Sequence, residues 1–256
     1  MKIQFLGVHN CESQNTKLTC LLIDDVLVVD AGGLTSSLSF AAQQKLKTIL
    51  LTHQHYDHIR DLPTIVFNFA MANAGINIYS TLLVYQILTT HLLNDKVYPQ
   101  FLNWPPENPK IKFTVVEAYQ AEQIKGYSIL PVPVNHSVPT VGYQITSSDG
   151  KVIFYSGDTG PDLADCWGHI TPQLLIIEVS APDRFEALYK RRGHLTPVLL
   201  KQELTSFRKI KGYLPQVVVV HLNPGLEEET KAEIVTVAED LNHPISVGYE
   251  GMELRL

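Results

Sequence analysis

Three observations predict an α/β fold. Short β-branched runs alternate with helix-period segments along the 256 residues, the chain opens on a meander of strands, and the strand-then-helix order of the first half recurs in the second. An apolar content of 45% with 18% charged residues suffices for a large core and excludes disordered, collagen-like and coiled-coil chains. No solenoid-length repeat, linker or low-complexity stretch divides the sequence, so residues 1–256 are expected to form a single domain.

KIQFLGV, KLTCLLID and VLVVDAGG are β-rich runs with polar or glycine breaks between them, which gives the opening strands. Residues 36–46 have the spacing of a short helix, and KTILLTH reads as a buried strand. DLPTIVFNFAMANAG is expected to be helical, with Asp61 at its cap, Pro63 in its first turn and Gly75 beyond its end. INIYS is a strand, and TLLVYQILTTHLL carries apolar residues at helical spacing. Residues 94–109, rich in Pro, Asn and aromatics, are expected to form a loop. Tyr98, Phe101 and Trp104 within it either anchor the loop to the core, the larger expectation, or cover a site and stack on a base. Strands are expected next at 111–116, 127–134, 141–147 and 151–155, followed by a helix-bearing loop, a strand at 173–179 and a helix from 196. QVVVV, a helical EEETKAEIVTVAEDL and two short strands close the chain.

A formal charge of −6, from 26 acidic and 20 basic residues, supplies no broad cationic field, which disfavours a large nucleic acid or an anionic membrane as partner. Cys11, Cys20 and Cys166 are odd in number and lack Cys-x-x-Cys spacing, so neither a disulfide framework nor a thiolate zinc site is expected. The start of the chain is unlike a signal peptide and no 18 apolar residues run together, so a cytoplasmic protein with no membrane partner is expected. Its oligomeric state is left open, a homodimer included.

Chemistry concentrates in Thr52-His53-Gln54-His55-Tyr56-Asp57-His58, between the strand KTILL and the helix that follows. Residues two apart in an extended segment project the same way, so His53 and His55 can share one ion, while Asp57 and His58 at the turn can address a second. A lone loop histidine is ordinarily a surface residue; three with an aspartate this close point to metal. Imidazole and carboxylate without thiolate suit Zn, Mn or Fe. Four residues cannot complete two coordination spheres, so further ligands must come from later strand ends. His136 follows YSILPVPVN, Asp158 follows KVIFYSG and His221 follows QVVVV, each where an apolar strand meets a loop.

In this order of motifs the sequence resembles the metallo-β-lactamase-fold hydrolases: Asp30, the His-x-His-x-Asp-His run from His53 to His58, His136, Asp158 and His221 match across nearly the whole chain. The resemblance implies a four-layer αββα sandwich, two facing mixed sheets with outer helices. It also implies two divalent ions, Zn first and Mn or Fe as alternatives. His53, His55 and His136 would hold one, Asp57, His58 and His221 the other, and Asp158 would bridge them, with Asp30 orienting the histidine loop. Asp158 rather than Cys at the bridging position separates the chain from antibiotic-cleaving lactamases. His55, where diiron oxygen reductases carry Glu, separates it from redox members. Glu178, Ser180, Gly193, His194, Leu195, Thr196, Pro197 and His221 fall on the pattern of class II cyclic-nucleotide phosphodiesterases, and tRNA 3′-processing endonucleases place a comparable Glu and His there. Asp61 stands where the cyclic-nucleotide enzymes prefer a small residue, and no long basic insertion of the tRNA-processing kind is present.

The implied reaction is hydrolysis of a small phosphodiester, a 3′,5′-cyclic nucleotide first, by a hydroxide shared between the two ions. Asp57 counts among the catalytic groups as well as the ligands, and His194 is the candidate donor of a proton to the leaving group, with Glu178 holding its other nitrogen. The structural alternative is that Glu178 and His194 only tie residues 180–195 to the sheet and that Thr196 caps the next helix. An endoribonuclease of the tRNA-processing kind, a carboxylic-ester or lactone hydrolase and, last, a non-enzymatic metal-binding protein are the competing functions. Lys190, Arg191 and Arg192 are either a solvated face or a steering patch. His9 is expected near the site, and His91, His169 and His243 at surface or capping positions.

Overall fold

The computed structural model describes residues 1–104 and 106–256. Two compact units divide the chain, the first comprising Met1–Gly7, Ser13–Glu117 and Glu250–Leu256, the second Val8–Glu12 and Ala118–Tyr249.

The first unit is built on strands β1 (Lys2–Gly7), β2 (Cys20–Ile23), β3 (Leu27–Val29), β4 (Thr48–Leu50), β5 (Ile76–Ser80), β6 (Ile111–Val115) and the last strand of the chain, β14 (Glu253–Arg255). Their order is β14-β1-β2-β3-β4-β5-β6. Pairing is antiparallel from β14 through β3 and parallel from β3 through β6, so the opening meander gives way to a parallel half. Helices α1 (Phe40–Gln43), α2 (Tyr56–Ile59), α3 (Leu62–Met71) and α4 (Leu82–Ile87) connect the strands. Ser39 caps α1 through Ala42 N at 3.3 Å and Thr81 caps α4 through Val84 N at 3.4 Å. Beyond α4 the chain widens into a π-helical turn, Leu88–Leu92, where Thr89 Oγ1 donates to Tyr85 O at 2.9 Å. Val28, Ile49, Ile65, Phe69 and Ile78 lie in the core, with Tyr98 and Phe101 packed against it beside Phe67. Those two aromatics therefore anchor loop 94–109, while Trp104 stays exposed; Pro105 lies outside the described residues.

Asp61 precedes α3 but does not cap it. Its backbone is already helical (φ −86°, ψ −5°), so the carboxylate cannot fold back onto the first amides of α3 and instead accepts from Thr35 N at 2.7 Å.

In the second unit the strands are β7 (Glu122–Ile124), β8 (Tyr127–Val134), β9 (Thr140–Ser147), β10 (Val152–Tyr155), β11 (Leu174–Glu178), β12 (Gln216–Val220) and β13 (Ile245–Val247), in the order β13-β12-β11-β10-β9-β8-β7. β7 through β10 form an antiparallel meander, and β10 through β13 are parallel. Since β9 runs against both β8 and β10, the strands β8, β10, β11 and β12 all end at one edge of the sheet. Helices α5 (Ala164–His169), α6 (Glu186–Arg191), α7 (Pro197–Lys211) and α8 (Glu227–Leu241) complete the unit. Pro197 opens α7 and Gly212, at φ 79°, closes it. Thr196 precedes α7 without a side-chain cap; Asp183 Oδ1, brought in from a 3₁₀ turn, accepts from Val198 N at 2.8 Å in its place. Strand β7 and helix α6 are too short and polar to have carried a periodic signal.

Among the described residues no helix is long and apolar enough to cross a membrane. The core of the second unit gathers Phe154, Trp167, Leu175, Phe207 and Val219 around one buried acid, Glu203. Glu203 accepts from Asp162 N (2.8 Å), Leu163 N (3.2 Å) and Trp167 Nε1 (3.0 Å), which offsets the cost of burying it. Glu203→Ala strands three donors and is expected to lower stability by about 2–4 kcal/mol; an unchanged urea midpoint would show that these bonds contribute nothing net.

Candidate active site

In the first unit β3 and β4 are parallel neighbours, so the residues after them emerge at one edge. Asp30 follows β3 in the left-handed region (φ 58°) and is pinned there by its amide, which donates to Leu50 O at 2.8 Å. Its buried carboxylate accepts from Thr52 N (2.9 Å), from Thr52 Oγ1 (3.0 Å to Oδ2) and from His58 Nδ1 (2.7 Å). An ionised carboxylate only accepts, so His58 carries its proton on Nδ1 and presents the lone pair of Nε2. The loop after β4 stacks the other donors closely: His53 lies 4.7 Å from His55 and 4.3 Å from His58 between ring centroids. Asp57 Oδ2 comes within 3.5 Å of His58 Nε2. The short helix α2 is what turns Asp57 and His58 back toward His53 instead of letting the chain run on extended.

The second unit supplies its residues from the shared edge of β8, β10, β11 and β12. His136 lies just beyond β8, Asp158 beyond β10, Glu178 ends β11 and His221 follows β12 at once. His221 has φ 67°, held by its amide donating to Val8 O at 2.5 Å. Asp158 offers one oxygen to each neighbouring imidazole, Oδ1 at 3.2 Å from His221 Nε2 and Oδ2 at 3.8 Å from His136 Nε2. His136 Nδ1 donates to Gly193 O at 2.7 Å. Burial pushes the His136 imidazole below its ordinary pKa, against the pull of Asp158, which favours the neutral ring that metals bind.

Beside these donors Glu178 Oε1 accepts from His194 Nδ1 at 2.7 Å. Thr159 N donates to the same oxygen at 2.9 Å, and Ser180 Oγ donates to Oε2 at 2.8 Å while lying 2.9 Å from His221 Nδ1. The His194 ring stacks on His221 at 5.6 Å with 14° between planes and stands 4.9 Å from His136. Glu178 is buried and the His194 side chain 18% exposed, so the imidazole reaches solvent and its carboxylate does not. Gly193 makes this approach feasible. At φ 75° any Cβ there would stand 2.8 Å from His136 Cα and 2.7 Å from Ser137 N, so a larger residue would push His194 away from the ligand edge.

Imidazoles and carboxylates with no cysteine among them, with Nδ1 of His58, His136 and His221 each on a fixed partner, are a donor set that fits divalent metal ions. Sequence patterns pointed to Gly193 and Ser180 only as parts of motifs; the Gly193 carbonyl and the Ser180 hydroxyl as histidine partners carried no separate signal. His9 is 4% exposed, with Nε2 3.2 Å from Glu227 Oε2, and it bridges to Leu222 next to His221. His91 and His169 are exposed, and His243 Nε2 hydrogen-bonds Pro215 O, just before β12, at 2.8 Å. Lys190, Arg191 and Arg192 are exposed at the end of α6, where their charge complements the helix terminus.

Residues 25–222 match the model of a family described as the beta-lactamase superfamily domain. The chain belongs to that superfamily. Its relatives include a probable 3′,5′-cyclic-nucleotide phosphodiesterase of Yersinia pestis, 23% identical over 211 residues, which cover 73% of this chain and 60% of that protein. The chain thus spans about 60% of the length of this relative. Among solved structures, the metallo-beta-lactamase fold protein YhfI of Bacillus subtilis is similar with a TM-score of 0.76 at 18% identity, over 99% of this chain and 98% of that one. Unliganded yeast PDE1 is similar with a TM-score of 0.84 at 17% identity, over 100% of this chain and 99% of that one. These likenesses show the metallo-β-lactamase fold, the fold class that the sequence led us to expect.

In this superfamily member the Asp30 carboxylate holds the His58 ring together with the amide and hydroxyl of Thr52. Asp30→Asn keeps its size and removes the charge that fixes Nδ1–H, so affinity for zinc is expected to fall about 10–100-fold. Competition with a chromophoric chelator measures it, and wild-type affinity in the variant would separate Asp30 from metal binding.

Proposed function

We propose that the chain is a metal-dependent phosphodiesterase, working as one hydrolase domain on a small phosphodiester, with 3′,5′-cyclic nucleotides the first substrates to test. The observation that carries this reading is the Glu178–His194 pair at 2.7 Å, set beside Asp158, His136 and His221. Ligands alone would serve a metal-binding protein; a buried carboxylate holding a partly exposed imidazole next to them is what expulsion of an alkoxide requires. The family and the name of the Yersinia pestis relative support the same chemistry.

On this reading His53, His55 and His136 hold one divalent ion, Asp57, His58 and His221 a second, and Asp158 both, with zinc the first choice and manganese or iron the alternatives. Such ions, when bound, lower the pKa of a water and neutralise charge on the phosphoryl oxygens. The rest falls to the chain's own groups. Asp30 and the Gly193 carbonyl keep His58 and His136 in the ligating tautomer. Glu178 holds Nδ1 of His194, so Nε2 is the nitrogen that gives a proton to the departing oxygen. The carboxylate need not take up that proton: it keeps the ring oriented and balances the charge of the imidazolium. Thr159 N and Ser180 Oγ, both donors to Glu178, satisfy its buried oxygens.

Chelation is expected to abolish hydrolysis of cyclic AMP or cyclic GMP, and added zinc or manganese to restore it. His194→Ala should lower kcat about 10²–10⁴-fold while metal content stays, whereas Asp158→Ala should lose metal and turnover together. A panel with an aryl phosphodiester, a lactone and precursor tRNA decides the substrate class. Cyclic-nucleotide turnover indifferent to chelation, or 3′-trailer cleavage of tRNA in its place, would overturn the reading.

A further inference from the structure

The buried Ser180 hydroxyl meets three charged or polar groups at once: Glu178 Oε2 at 2.8 Å, His221 Nδ1 at 2.9 Å and His194 Nδ1 at 3.3 Å. Its backbone is fixed too, since Ser180 N donates to Leu195 O at 3.0 Å. A hydroxyl has one proton to give and two lone pairs to accept with. The proton goes to Glu178 Oε2, and the lone pairs face the imidazoles. His194 Nδ1–H is committed to Glu178 Oε1 at 2.7 Å, which makes its longer contact with Ser180 secondary. His221 Nδ1 must then be a donor, and a directed chain results, from His221 Nδ1–H to Ser180 Oγ and from Ser180 Oγ–H to Glu178. His221 is left with the lone pair of Nε2 on the side of Asp158, 3.2 Å away.

We propose that Ser180 is a positioning residue for metal binding, fixing the tautomer and orientation of His221 through a hydroxyl whose own direction is set by Glu178. The inference rests on the reading of His221 as a metal ligand. It assigns Glu178 a second task. The carbonyl of Gly193 can only accept, so it fixes His136 unaided. A hydroxyl can point either way, and it accepts from His221 only while a carboxylate claims its proton. Glu178 therefore serves two imidazoles, His194 directly and His221 through Ser180, and the metal ligand and the proton donor share one anchor.

This sharing separates variants that a merely structural role would not. In zinc titrations of the metal-free protein against a chromophoric chelator, Ser180→Ala is expected to weaken zinc binding at the site that includes His221 about 10–100-fold. Glu178→Gln, whose amide can turn a donor toward the hydroxyl, should weaken it in the same direction, while His194→Ala should bind as the wild type does. Wild-type zinc affinity in both Ser180→Ala and Glu178→Gln overturns the proposal. Should Ser180→Ala fail to fold, the ¹⁵N imidazole shifts of His221 in the metal-free wild-type protein decide: the Nδ1–H tautomer supports the chain of bonds, the Nε2–H tautomer refutes it. Absence of phosphodiester turnover would count against the proposed function alone, because neither readout depends on catalysis.

Discussion

A histidine that holds a divalent ion through one ring nitrogen binds it best when the other is kept as N–H by a fixed partner. Under the proposed function, much of the local architecture answers to that requirement. His58 has the Asp30 carboxylate at 2.7 Å, His136 the Gly193 carbonyl at 2.7 Å and His221 the Ser180 hydroxyl at 2.9 Å. Each partner sits far from its histidine in sequence, so each bond ties a separate strand end or loop to the ligand edge. The backbone accepts unfavourable conformations to do this: Asp30 and His221, neither a glycine, stand at φ 58° and φ 67°. Amide bonds to Leu50 O and Val8 O hold them there.

Sheet topology does the gathering. In the first unit the parallel pair β3 and β4 delivers Asp30 and the histidine loop to one edge. In the second, β8, β10, β11 and β12 share a direction although β9 runs against its two neighbours, and the four polar residues after or at their ends converge. An antiparallel meander alone would alternate them between two edges. The segment from Glu178 to His194 then closes on this edge twice, through Ser180 at its start and Gly193 at its end, and carries the proposed proton donor with it. Under the proposed function, ligand geometry and proton transfer are thereby coupled through bonds and not merely adjacent.

Much of this was legible in the sequence. INIYS, YSILPVPV and EEETKAEIVTVAEDL coincide with β5, β8 and α8, because alternation and helical period record which side chains face a core. The metal-type donors were legible because His and Asp at the ends of apolar strands have few other reasons to cluster. What was not legible depends on contacts distant along the chain. Asp61 has the look of a cap and Thr196 its position, yet the bonds go to Thr35 and from Asp183, partners that no local pattern specifies. Glu203 is a charged residue on the buried stripe of α7, between Leu199 and Phe207, and Trp167 Nε1 and two loop amides explain its burial. The carbonyl of Gly193 and the hydroxyl of Ser180 belong to the same class: their value lies in direction, which composition and spacing do not encode.

The acidic charge of −6 also takes on a different meaning once these side chains are placed. Asp30, Asp57, Asp158 and Glu178 lie at or behind the donor edges, and bound divalent ions would reverse the local sign so that an acidic chain can receive an anionic phosphodiester. Everything in the proposed function depends on those ions. The most direct measurement is therefore metal content by elemental analysis of the purified protein, loaded with zinc and freed of excess by gel filtration. The account predicts about two ions per chain, as a two-metal hydrolytic site requires, falling in the Asp158→Ala variant. Retention of no metal by the folded wild-type protein would contradict it.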